Sequence, residues 1–182
     1  VIVYGRCHSS SNGRNHDGFF SGNLTNSTNL LLRRGEAACA ATATWQVVEY
    51  EGSTVQSGET TLFGANTLKT ATIDAVNLTE TFLIFDVNAL GTDPGMDTNM
   101  VSGNFSNTTT IQFNRYAGVG ASNNRIMDWY AVTIPGANVQ TGVLSTTSST
   151  PTDITISSVD TSRTFVRKSH FDSGTGTSYD NQ

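Results

Sequence analysis

Lysine is nearly missing. Lys69 and Lys168 are the only two among 182 residues, and the other eight cations are arginines. Lys+Arg totals 10 against 15 Asp+Glu, a formal net charge of −5. A surface of that sign does not hold a polyphosphate backbone, so no nucleic-acid partner is expected. Charge of either sign is scarce, at 14% of residues, against roughly 25% in an ordinary soluble domain. Proline occurs three times and cysteine twice. No apolar run approaches the roughly 18 residues of a membrane span. The longest candidate, Thr81 to Phe85, has the length of a strand. The sequence holds no CxxC pair, no HExxH, no GxSxG and no phosphate-cradling loop. The common signatures of zinc, serine-hydrolase and nucleotide chemistry are therefore missing.

What is abundant is hydroxyl and amide. Thr, Ser and Asn number 28, 19 and 16, together 63 of 182 residues. A coat of that kind suits an extracellular β-protein, and the expected location is extracellular or on a cell or virion surface.

The chain also repeats itself. Residues 21–34 match residues 102–115 at a shift of 81, with six identities in 14. Residues 45–58 match 129–142 at a shift of 84, again with six in 14. Ile73 to Leu83 matches Ile156 to Val166 at a shift of 83, sharing Ile, Val, Thr and Phe. Three collinear blocks with a nearly constant shift define a tandem repeat of about 82 residues, with short indels in loops. Val1, Ile2, Val3 and Tyr4 fall where Phe82–Phe85 and Phe165–Lys168 fall. The chain opens inside this apolar run, with no initiator Met, which suggests that something upstream is missing. The frame suggests either a window cut from a longer array or a subunit whose ends are completed by neighbours. Val1 to Tyr4 are accordingly the expected assembly segment, pairing with either the first complete unit of the chain or a preceding copy.

Period-2 alternation and turn residues map five strands per unit. They fall at about 28–34, 42–50, 54–62, 70–76 and 81–87, and again at 109–115, 126–134, 138–145, 153–159 and 164–169. The second and third strands form a predicted hairpin across residues 51–54, matched by 135–138, with a glycine recurring where a tight turn needs positive φ. The fourth and fifth join across residues 77–80 and 160–163, each turn starting with an Asx residue. The expected fold is all-β, with two tandem antiparallel β-sandwich-like repeats of about 82 residues. The expected divisions are residues 1–17 (last strand of a preceding unit and its connection), 18–99 (first repeat) and 100–182 (second repeat and tail).

Trp45 and Trp129 occupy one repeat position. As sugar-stacking platforms they would be exposed; as core residues of a central strand they would be buried beside Val48 and Val132. Recurrence favours the core, which Phe82 and Phe165 are expected to join. Gln56 and Gln140 recur with Gly58 and Gly142, where an interstrand hydrogen bond explains them as well as a ligand does. Cys7 and Cys39 lack counterparts in the second unit and suggest one disulfide, with two buried free thiols the alternative. Asn23, Asn26, Asn77, Asn104 and Asn107 open Asn-x-Ser/Thr sequons. They are glycosylation acceptors in a eukaryotic secreted protein and otherwise loop chemistry. The loops 93–97 and 172–180 combine carboxylates and glycines, but without EF-hand spacing. No cofactor is expected, with calcium the remaining candidate.

The three histidines, His8, His16 and His170, lie in end regions. A catalytic carboxylate pair would break the repeat at a strand, and no such break is visible, so no enzymatic activity is expected. The style is similar to repeat arrays of bacterial surface fibres and of phage tail or decoration proteins, a likeness of architecture alone. The leading expectation is a non-enzymatic extracellular structural or adhesive protein, built into a fibre, filament or surface layer by head-to-tail strand addition. Its partners would be other copies of itself. The alternative is a carbohydrate- or receptor-binding module of a cell surface or virion, with glycans as partners.

Overall fold

A computed structural model describes residues 2–7, 19–35, 40–90, 100–116, 124–146 and 151–171. The described residues form an all-β protein of ten strands. In chain order these are β1 (Ile2–Cys7), β2 (Phe20–Asn26), β3 (Asn29–Arg34), β4 (Ala41–Gln46) and β5 (Thr54–Leu62). They continue with β6 (Leu68–Thr72), β7 (Thr81–Ala89), β8 (Ser102–Asn107), β9 (Thr110–Asn114) and β10 (Arg125–Thr133). No described helix is long and apolar enough to cross a membrane.

Every strand pair is antiparallel. Two three-stranded sheets, ordered β5-β10-β7 and β6-β9-β8, enclose the core. Leu62, Phe85, Met127, Trp129 and Ala131 come from the first sheet, and Ile111 and Phe113 from the second. Ile73 and Val101 complete the buried cluster. Phe85 and Phe113 meet edge to face with ring centroids 5.3 Å apart. β10 alternates between two buried faces. Met127, Trp129 and Ala131 point into the core, while Asp128 and Tyr130 are buried on the other side. A strand buried on both faces belongs in the middle of a sheet.

The strand partners differ from the sequence expectation. β4 and β5 do not form a hairpin. Their turn exists, with Ser53 N–H donating to the Tyr50 carbonyl at 3.2 Å and Gly52 at φ 79°, but β5 pairs instead with β10 of the second repeat. β6 and β7 are likewise joined by a turn yet lie in different sheets. The closed core thus takes β5, β6 and β7 from the first repeat and β8, β9 and β10 from the second. Alternation told which face of a strand is apolar; it carried no information on which strand lies alongside.

β2 and β8 are strands that alternation alone did not reveal. Each pairs with the strand after it, and each carries the same irregularity, between Leu24 and Asn26 and between Phe105 and Asn107. The stretches expected as strands at 138–145, 153–159 and 164–169 hold no strand.

Candidate interaction surface

The repeat puts two tryptophans in matching strands and the fold treats them oppositely. Trp129 lies in β10, hydrogen-bonded along both edges, opposite Gly58 on β5 and Phe85 on β7. It is 7% exposed. Its indole N–H donates to Thr60 Oγ1 at 3.0 Å. The ring lies so close over Gly58 that a Cβ there would come within 2.6 Å of Trp129 Cζ2. Trp45 lies in β4, whose one hydrogen-bonded neighbour among the described strands is β1. It is 56% exposed, against the core expectation. Val48 is also exposed, as are Val47 and Tyr50. The reason is the missing neighbour: nothing described covers the edge and face that β5 and the opposing sheet cover for β10.

Ile2, Val3 and Tyr4 pair with Gln46, Trp45 and Thr44 of the same chain. Of the two partners the sequence allowed, they thus have one within their own chain; Val1 lies outside the described residues. Val3 opposes Trp45 as Phe85 opposes Trp129, one residue away from the sequence alignment.

The described C-terminal residues 134–146 and 151–171 repeat the turns of the first unit without its strands. Gln56 is clamped to the backbone of Asp74, accepting from its N–H at 2.7 Å and donating to its carbonyl at 3.1 Å. Gln140 does the same with Ser157, at 2.7 and 3.0 Å. Gly136 matches Gly52, both at φ 79°. The stretch is anchored on the first unit. Ile134 N–H donates to the Glu80 carbonyl at 3.0 Å and Val139 N–H to the Thr79 carbonyl at 2.8 Å. Phe165 meets Phe82 edge to face at 5.5 Å. Arg167 donates to the Phe85 carbonyl at 2.9 Å. Even so, Val143, Ile154, Ile156 and Val166 are exposed, and Phe165, expected in the core, is 68% exposed. No described strand lies beside these segments as β10 lies beside β5 and β7, so they form no ladder. Val132 and Phe82, also expected in the core, oppose each other on β10 and β7 but alternate onto the face away from it, where they are half-buried.

The sequons read as turns. Asn26, Asn77 and Asn107 each accept, through Oδ1, from the backbone N–H and hydroxyl of the Thr two residues on. Asp160, which no oligosaccharyl chemistry modifies, makes the same pair of bonds with Ser162 at 3.0 and 2.7 Å. The Asx–hydroxyl pattern is thus accounted for by turn geometry at this repeat position. Asn104 is exposed on β8, and Asn23 is half-buried on β2.

Charge gathers at one place. Arg33 on β3 bonds Glu59 on β5 and reaches Asp128 Oδ1 on β10 at 3.3 Å. Glu59 and Asp128 are cross-strand neighbours, so the guanidinium separates two like charges. Burial pushes the Asp128 carboxyl above its ordinary value of 3.8, opposed by the neighbouring Ser21 hydroxyl and by Arg33. Beside it, Tyr130 Oη accepts from Leu24 N–H at 3.1 Å and donates to the Gly22 carbonyl at 3.2 Å. Burial also raises the phenol's pKa. These bonds fasten the β2–β3 hairpin onto the central sheet. Arg34 lies over the Phe20 ring, and Arg115 donates to the Asn66 carbonyl at 2.9 Å; both are structural.

No group of three metal-ligating side chains converges among the described residues. The Cys7–Cys39 pairing, His8, His16 and the loops 93–97 and 172–180 lie outside the described residues or their described side chains. A shallow groove lined by Gln56, Thr72, Ile73, Asp74 and Trp129 is bridged by the Gln56–Asp74 bonds. The chain matches no protein-family model, no curated protein and no solved structure.

Proposed function

We propose that this is a non-enzymatic structural repeat protein, assembled head to tail by β-strand addition into an extracellular fibre, filament or surface layer. One observation carries the reading. The closed core combines the last three strands of one repeat with the first three of the next. Among the described residues, 20–35 and 40–46 repeat β8–β10 without counterparts of β5 and β6 beside them, and 138–146 and 151–169 repeat β5–β7 without a central strand. Each open half is the complement of the other. Exposed apolar edges are what soluble β-proteins avoid, and burying each large side chain contributes about 1.5–3 kcal/mol. The two halves are different surfaces, so their contact is heterologous and propagates where the rotation does not close. The sparse charge and hydroxyl-rich coat support an extracellular setting.

Sedimentation velocity and electron microscopy across a concentration series test this. Linear oligomers growing with concentration are expected; a strict monomer at high concentration overturns it. The exposed Trp45 ring favours one second reading, a carbohydrate- or receptor-binding module. Specific binding on a glycan array, lost in Trp45→Ala, would support that reading instead.

A further inference from the structure

Gly142 is a glycine without a purpose inside its own chain. Its φ is not positive, since the positive-φ glycines are Gly52, Gly64 and Gly136. A Cβ built on it meets nothing within 4 Å. Its repeat counterpart Gly58 has a clear purpose: the Trp129 indole lies across it, leaving no room for a side chain. The residue 84 positions before Trp129 is Trp45, and the residue 84 after Gly58 is Gly142. One is an exposed indole on a strand edge that no described strand covers, the other a bare backbone patch on a segment that no described strand flanks.

We infer that residues 138–146 of one copy add to the free edge of β4 in a second copy, with Trp45 lying across Gly142. The inference rests on the head-to-tail reading above and gives its partner and register. The template is the β5–β10 ladder, in which Trp129 opposes Gly58, Met127 opposes Thr60 and Asp128 opposes Glu59. Transposed by the repeat, Trp45 opposes Gly142, Ala43 opposes Leu144 and Thr44 opposes Val143. β1 keeps the other edge of β4, so the sheet ordered 138–146, β4, β1 reproduces β5-β10-β7. Residues 164–169, the repeat of β7, are then surplus to that sheet.

Two departures from the template fit a contact between copies. Where Glu59 and Asp128 need Arg33 between them, Val143 and Thr44 bring no charge, so no third side chain is required. Where Thr60 accepts the Trp129 indole N–H, Leu144 offers no acceptor. The intermolecular ladder is therefore weaker than the internal one by one hydrogen bond, which suits reversible association.

Three variants of the 182-residue chain test the register by sedimentation velocity, with tryptophan emission reporting burial of Trp45. Trp45→Ala and Gly142→Val should each weaken association at least about tenfold while leaving the denaturation midpoint of the monomer unchanged. Leu144→Thr, which restores the acceptor, should tighten it several-fold. Each of the first two variants retains one good surface. Mixed, they should form a 1:1 dimer that does not grow, and neither alone should do so. Wild-type assembly matched by Trp45→Ala and Gly142→Val, or a mixture that stays monomeric, overturns this register while head-to-tail assembly stands. A wild type with Trp45 buried at every concentration means that the chain fills its own slot, and also overturns it. A strictly monomeric wild type with Trp45 exposed overturns the head-to-tail reading itself.

Discussion

β10 and β4 are the same strand of the repeat in two surroundings. Both carry a tryptophan at the matching position, and both have an equivalent of the last repeat strand on one edge. β10 also has β5 on its other edge and a second sheet across its inner face; among the described residues β4 has neither. The indole is buried in one and more than half exposed in the other. The comparison teaches that burial here belongs to the neighbour, not to the strand. The same residue at the same repeat position is a core residue or a surface residue according to which segment arrives beside it.

The comparison breaks most sharply at the tryptophans. Trp129→Ala should cost about 3–5 kcal/mol in denaturant unfolding, because it empties the core and strands the Thr60 hydroxyl. Trp45→Ala in the dilute monomer should cost less than about 1 kcal/mol. Equal losses would mean that β4 is covered after all. The glycines sharpen the contrast at smaller scale. Gly58→Ala forces a methyl against the Trp129 ring and should cost about 1–3 kcal/mol. Gly142→Ala meets open space and should be neutral in the dilute monomer, measured in the same way.

The charge cluster supplies a pH-dependent contrast, since Asp128 in β10 has Thr44 as its counterpart in β4. The folded-state pKa of Asp128 is raised above 3.8, so the folded chain binds its proton more tightly than the unfolded chain. Its contribution to stability is therefore fully present below 3.8 and declines as pH rises through the raised folded value. Asp128→Asn should flatten that part of the curve of denaturation midpoint against pH. An unchanged slope would show the carboxyl to be ordinary. The smallest effect belongs to the turns. Ser162 and Arg163 hold the exposed Asp160 carboxyl below 3.8, so its contribution is present above 3.8 and fades as pH falls through the lowered value. Asp160→Asn installs the residue that Asn77 already provides in the first unit. It should leave the fold intact and remove only that acid-side titration, read by NMR. A melted turn would show that the charge, not the Asx geometry, closes it.

Much of the local structure was legible in the residues. Asn77 and Asp160 announced their turns because a short side-chain acceptor can cap the N–H two residues on. Gly52 and Gly136 announced theirs because a tight turn asked for positive φ. The paired Gln56 and Gln140 left a hydrogen bond between strands and a ligand equally open in the sequence, and the structure clamps each onto a later backbone, at Asp74 and Ser157. The candidate surface was only half legible. Trp45 and Gly142 were visible as repeat positions, but the sequence read Trp45 as core.

The sequence by itself determined the all-β class, the repeat and its turns, because each follows from the chemistry of residues close together along the chain. Only the tertiary structure decided that β5 and β7 receive β10 from the next repeat, and that β4 has β1 as its one partner among the described strands. An antiparallel ladder is made from backbone groups that every residue carries. Strand partnership is therefore set by which faces pack together in three dimensions, and no residue pattern within one strand records it.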